Sequence, residues 1–364
     1  MAKTIQNQFH PDIVFPPGET IRESLGALGM KQAELARRMG VSEKYIIDLL
    51  NGDAPLTAEV ALLLERVFNV PSRFWTNLEQ SYRDFLARTA EAARLEASVA
   101  WVRKFPLKEM AQLGWLELAG DKLSNIHRLL TFFGCASEMQ WAGLWERADA
   151  VYRHSATQKS DPHALAAWLR RGQMEALDKA LPAFDASAWT KALSAIRDHI
   201  SADPREFQPH MAEQCRLAGV GLVFLPPLPK MAVCGACVWH NQNPWIYLSL
   251  RYKTDDHLWF SFFHEAKHVL QNVRKRLFVD EPRQAVDDPL ERAANAFAAD
   301  TLIPPATYQE LVDTGRFDAP TIRRFAAGLK LTAGVVVGRL QHDGHVPWPS
   351  PLNQLKTHYA WSDS

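Results

Sequence analysis

The stretch His264-Glu265-Ala266-Lys267-His268 constrains this chain more than any other, because it sets two imidazoles four residues apart with a carboxylate between them. On a helix, a period of 3.6 residues brings positions i and i+4 onto one face, so both rings reach a single cation at about 2.0–2.1 Å. The surroundings call for that helix. Thr254-Asp255-Asp256 supplies N-terminal capping groups, and Leu258, Trp259, Phe262, Phe263, Ala266, Val269 and Leu270 follow as a broad apolar face without Gly or Pro. The predicted helix is largely buried, and two buried imidazoles on adjacent turns are best satisfied through one shared metal. Glu265 would then flank the open coordination position and take a proton from a metal-bound water.

A catalytic zinc takes three protein ligands and keeps a fourth position open. The next predicted helix, containing Glu291 to Ala298 and opened by Asp287-Asp288-Pro289, offers the third. Glu291 and Asn295 are again i and i+4, so Glu291 can ligate while Asn295 accepts a hydrogen bond from the ring N–H of His264 or His268. The competing reading of Glu291 is a solvated carboxylate favoured by the helix dipole. A rival metal site is Cys234-Gly235-Ala236-Cys237 with the two histidines. The 26 residues between Cys237 and His264 overshoot the usual zinc-finger spacing, and the strand-like run 233–239 would point the two sulfurs to opposite faces.

A chain of 364 residues with 47% hydrophobic content is long enough for two or three domains with packed cores. No run of about 18 apolar residues occurs and the N-terminus lacks the features of a signal peptide, so the expected location is cytoplasmic, with no membrane partner. Four cysteines fit reduced thiols. The 41 basic and 41 acidic side chains cancel, so any nucleic-acid binding must come from a local patch.

The expected fold is mainly α with a small β-sheet, an α+β protein in three parts. Residues 1–94 read as a bundle of about five helices, in which Met39-Gly40-Val41-Ser42 forms the short glycine-bearing connection of a helix-turn-helix. The fifth helix is expected from Ser72 to Arg88. Glu43, Lys44, Ile47 and Asp48 are expected exposed on the third helix. From Gly18 to Arg88 there are nine basic and ten acidic residues, a weak electrostatic footprint that a dimer on two half-sites would strengthen. Residues 95–219 read as a helical scaffold with Trp101, Trp115, Trp141, Trp145, Trp168 and Trp189 in apolar-periodic segments. Residues 220–364 open with three predicted strands, Val220–Leu225, Val233–Trp239 and Trp245–Arg251, the last two joined through His240 to Pro244. Strands followed directly by the metal helix give the order of a minimal zinc peptidase, whose sheet edge accepts an extended substrate. For the group stabilising the developing oxyanion, His240, Tyr247, Arg251 and Tyr252 are candidates.

Pro17-Gly18-Glu19, Gln32-Ala33-Glu34-Leu35-Ala36, Gly40-Val41-Ser42 and Asn51-Gly52 resemble the Xre-type helix-turn-helix, in the version seen in HigA-like antitoxins. Phe263-His264-Glu265 with His268-Val269-Leu270, Glu291 to Asn295 with Phe297-Ala298, Ile303-Pro304, Leu248 to Tyr252 and Val335 to His342 resemble the ImmA/IrrE metallopeptidase domain, a minimal gluzincin-like fold. The resemblance implies a DNA-binding head fused to a zinc-dependent protease, with His264, His268 and Glu291 as ligands of Zn2+ and Glu265 as general base. It also implies DNA contacts from Gln32, Ser42, Lys44 and Tyr45. The expected partners are a double-stranded operator bound by a homodimer, and a protein substrate. The alternative is a HigA-like antitoxin and autorepressor that neutralises a cognate toxin by contact, its zinc domain serving as sensor or scaffold. One departure stands out: Lys267 occupies a position where the family usually has Gly, and a cation beside two zinc ligands would weaken metal binding or acidify the bound water.

Overall fold

The computed structural model describes residues 14–146, 160–272, 278–280 and 288–361, with backbone alone for 146 and 278–280. The chain divides into two compact units, 1–98 and 99–364. The segment expected as a separate scaffold from 95 onward is thus shared out, residues up to 98 with the head and the rest with the sheet.

The first unit holds α1 (Pro17–Ala27), α2 (Gln32–Met39), α3 (Glu43–Asn51), α4 (Ala58–Phe68) and α5 (Ser72–Glu96). Ser42 Oγ accepts from Tyr45 N at 3.1 Å and so caps α3, while Gly40 ends α2 in the left-handed region at φ 69°. These two residues fix the α2–α3 turn. Ile21, Leu35, Ile46, Ala61, Leu64 and Trp75 are fully buried and form the core between the helices. A methyl on Gly18 would meet Leu50 O at 1.9 Å, so α1 can approach α3 only through glycine. α5 runs two turns past the expected end at Arg88, carried by helix-forming Ala and Glu with ion pairs Arg88–Asp84 and Arg94–Glu91.

In the second unit, α6 (Val99–Val102), α7 (Leu107–Gln112), α8 (Lys122–Phe133) and α9 (Glu138–Trp141) precede α10 (Pro162–Leu177), α11 (Ala186–Arg197) and α12 (Pro204–Leu217). The sheet follows as β1 (Gly221–Phe224), β2 (Gly235–His240) and β3 (Asn243–Leu248), then the long helix α13 (Asp255–Gln271), β4 (Phe278–Asp280) and α14 (Pro289–Leu302). α15 (Pro305–Asp313), α16 (Ala319–Gly328) and α17 (Ala333–His342) close the unit. Strand order is β1-β3-β2-β4, with β1 parallel to β3 and the other pairs antiparallel. Two details depart from expectation. β2 and β3 turn over Asn241 and Gln242 alone, because Asn241 takes φ 56° and lets His240 pair with Asn243. A fourth strand, β4, lines the edge of β2, its Asp280 opposite Gly235.

The sheet lies between helices on both faces. Cys237, Ile246 and Leu248 share a core with Phe262, Phe263 and Ala266 of α13. On the opposite face Tyr247 packs on α10, where Gly172 makes room for its ring and Trp168 meets it edge-on at 5.9 Å. Further hydrogen bonds hold α13, α14 and the end of α16. Trp189 Nε1 donates to Ala266 O at 3.3 Å, and the Arg197 guanidinium donates to the carbonyls of Thr301, Leu302 and Leu329 at 3.0–3.1 Å, satisfying the last turn of α14. At the start of α13, Thr254 stands at the N-cap without a side-chain capping bond. The buried Asp255 and Asp256 instead hold the C-terminal segment, through Thr357 N at 3.1 Å and Lys356 Nζ at 2.6 Å.

Candidate metal centre

α13 carries His264, Glu265 and His268 as the spacing requires, all three with 2% exposure or less. α14 begins where Asp288 accepts from Leu290 N at 2.8 Å, which sets Glu291 in its first turn; Asp287 lies outside the described residues. The two helices pack along each other and bring the three predicted ligands together. His264 Nε2 and His268 Nε2 are 3.0 Å apart, and the Glu291 carboxylate lies 3.2 Å from the first and 3.5 Å from the second through separate oxygens. Donors at 2.0–2.1 Å from a tetrahedral zinc stand about 3.3 Å from one another. The three separations bracket that value.

The rings are oriented for the same purpose. His264 Nδ1 lies 3.0 Å from Asn295 Oδ1 and His268 Nδ1 lies 2.8 Å from Gln271 Oε1. An amide oxygen only accepts, so each Nδ1 carries the proton and each Nε2 turns its lone pair inward. Two lone pairs converging at 3.0 Å beside a carboxylate repel unless a cation sits among them. The donor set therefore fits a divalent zinc-like ion, two neutral nitrogens and one charged oxygen. Among the described residues, this trio is the group of His, Cys, Asp and Glu positioned to hold a metal, and neither Cys234 nor Cys237 joins it. Burial, reinforced by Glu265, pushes the Cys237 thiol well up, away from the thiolate a metal needs.

Glu265 sits one residue past His264, about 100° around the helix. It packs against Gly235 of β2, whose missing side chain leaves the space: a methyl there would lie 2.9 Å from Glu265 Cγ and 3.0 Å from Oε1. The carboxylate thus lies where β2 pairs with β4. Gly235 and Gln271 were missed in the sequence, although a glycine inside a strand run is itself a sign of close approach by another group. The Lys267 ammonium is held 5.3 Å from the centroid of the Phe297 ring on α14, a cation–π contact that occupies the charge.

The four oxyanion candidates are not brought to this centre. Tyr247 and His240 face α10 on the far side of the sheet, and His240 Nε2 takes the Tyr247 hydroxyl as partner. Arg251 lies over Tyr252, which stacks on His257 at 4.1 Å in the first turn of α13. That is seven residues before His264, about 10 Å along the helix. Side-chain alternation and helix rise, not residue type, exclude them.

In the head, Gln32 and Lys44 are exposed at the starts of α2 and α3, and Ser42 is exposed while its oxygen serves the cap. Tyr45 is half-buried and its hydroxyl donates to Pro55 O at 3.3 Å. Glu43 and Ile47 are exposed and Asp48 is half-buried.

Residues 21–75 match a family model described as helix-turn-helix, and residues 219–341 match one described as the IrrE N-terminal-like domain. Over 84 residues the chain is 34% identical to the uncharacterized HTH-type transcriptional regulator YddM of Escherichia coli (strain K12), covering 23% of this chain and 89% of that protein. Among solved structures, an addiction module antidote protein of the HigA family from Coxiella burnetii is 31% identical, covering 23% of this chain and 91% of that one with a TM-score of 0.22. The Pseudomonas aeruginosa antitoxin HigA, solved with the higBA promoter, is 30% identical over 23% of this chain and 94% of that one, also with a TM-score of 0.22.

Proposed function

Because the chain belongs to the helix-turn-helix regulators and carries an IrrE N-terminal-like domain in the same polypeptide, we propose that it is a cytoplasmic DNA-binding regulator with zinc-dependent peptidase activity. The observation that carries the peptidase half is the convergence of His264 Nε2, His268 Nε2 and Glu291 at 3.0–3.5 Å between two packed helices. Zn2+ held there would supply Lewis acidity, polarising a peptide carbonyl and acidifying water. The chain's own groups do the rest. Asn295 and Gln271 orient the rings, and Glu265 accepts the proton from the attacking water and can return it to the leaving amine.

The substrate is a protein segment in extended form. β4 already covers β2, and among the described residues no strand pairs with the far edge of β4, so that edge can take a further strand. In the head, α3 would enter the major groove as part of a homodimer on a palindromic operator, with Gln32, Ser42 and Lys44 at the backbone and base edges. Tyr45 contributes its ring rather than its hydroxyl, which Pro55 holds.

Glu265→Gln tests the reading. The variant should retain zinc and operator binding and lose cleavage of the protein partner by about 10²- to 10⁴-fold, followed on gels with the partner present. Cleavage at the wild-type rate would refute the assignment. Undiminished neutralisation of a cognate toxin, with no cleavage by either protein, would establish the contact-type antitoxin instead.

A further inference from the structure

We propose that Gln271, the last residue of α13, is a positioning residue that fixes the His268 ring and ties the second zinc ligand to the third. Its carboxamide has two partners of different character. Oε1 lies 2.8 Å from His268 Nδ1, and Nε2 lies 2.8 Å from Leu290 O. A backbone carbonyl only accepts, so the amide nitrogen must face Leu290 and the oxygen must face the histidine. The imidazole therefore holds its proton on Nδ1 and presents Nε2 to His264 and Glu291. His268 has no solvent-exposed surface from which water could make the same bond.

The far end of the bridge matters equally. Leu290 immediately precedes Glu291, so one amide spans from the second ligand's ring to the backbone that carries the third. Gln271 sits three residues after His268 on the same helix face, which is why the bond to the ring needs no distortion of α13. Nothing in the spacing of His264, His268 and Glu291 requires a glutamine there; the role comes from where α14 begins. This inference rests on the metal reading above.

The test uses the full-length protein with Gln271→Leu and Gln271→Glu, measured by zinc competition against a chromophoric chelator, thermal unfolding of the metal-free form, and long-range 1H–15N spectra of the histidines. Gln271→Leu should lower zinc affinity by about 10- to 100-fold while the metal-free unfolding temperature changes little. In wild type the His268 proton should be on Nδ1, and in Gln271→Leu that fixed tautomer should be lost. Gln271→Glu keeps the acceptor for Nδ1–H but cannot donate to Leu290 O, so it should recover the fixed tautomer and an affinity between those of Gln271→Leu and wild type. Unaltered affinity in Gln271→Leu, or a wild-type ring that lacks the Nδ1 proton, would overturn the proposal. A loss of affinity matched by general destabilisation and not rescued by glutamate would show a structural role only. A wild-type protein that binds no zinc would refute the metal reading and this role with it, and would be seen before any variant is compared.

Discussion

His240 shows what burial does to a single ionisable side chain here. Desolvation lowers its pKa to about 4, and the buried Tyr247 phenol, pushed far up chiefly by burial, remains protonated and donates to the imidazole. In the unfolded chain the same histidine titrates near 6.5. Between those values the unfolded state binds a proton that the folded state refuses, so stability falls as pH drops from about 6.5 to about 4. With partial exposure screening the effect, the loss is about 1–2 kcal/mol. His240→Gln keeps an acceptor for Tyr247 and has no proton to take up, so its stability relative to wild type should improve as pH falls from 7 to 4.5 in urea titrations. A constant difference between the two would show that His240 is protonated in the folded state as well. At this scale the meeting of His264 with His268 was legible because a four-residue spacing is a property of the helix itself. The oxyanion group could not be chosen among its candidates because residue type says nothing about which sheet face His240 or Tyr247 takes. Gln271 was invisible because its partner Leu290 belongs to another helix.

Between elements, the contact that governs the proposed chemistry is β2 against α13. Both were foreseen, the helix from its Gly- and Pro-free apolar face and the strand from its β-branched and aromatic run. Their meeting point at Gly235 and Glu265 was not, since register across a sheet–helix interface depends on the whole core. β4 escaped notice for a different reason: three residues of strand are too few to display alternation. Gly235→Ala makes the interface measurable. Its methyl would lie 2.9 Å from Glu265 Cγ, closer than carbon atoms sit, and the flexible carboxylate is the part able to move. Displacement of a general base without loss of a ligand should reduce cleavage by about 10- to 100-fold with zinc affinity within about threefold of wild type. A cost of about 1–3 kcal/mol in stability should accompany it. Unchanged turnover in this variant would mean that Glu265 has no fixed place against β2.

Across the whole molecule the two units have separate cores, one built from residues between Ile21 and Trp75 and the other from residues between Trp189 and Leu355. The chain's formal charge is zero, so no global field draws it to DNA, and the proposed operator binding would depend on a few phosphate contacts from the head. Lys44 is exposed beside the N-terminus of α3, where a duplex phosphate would also meet the helix dipole. Lys44→Ala should weaken binding to operator and to unrelated duplexes alike, and should reduce the slope of log affinity against log salt by about 0.9. A change of sequence preference with an unaltered salt slope would assign Lys44 to base reading instead. Because the proposed zinc ligands His264, His268 and Glu291 belong to the second unit, Glu291→Gln should abolish zinc binding and leave both operator affinity and the salt slope within about twofold of wild type. If removing the ligand shifts operator affinity by tenfold or more, the two units share a free energy of about 1.4 kcal/mol or more, and the metal centre then acts on DNA binding directly rather than through cleavage.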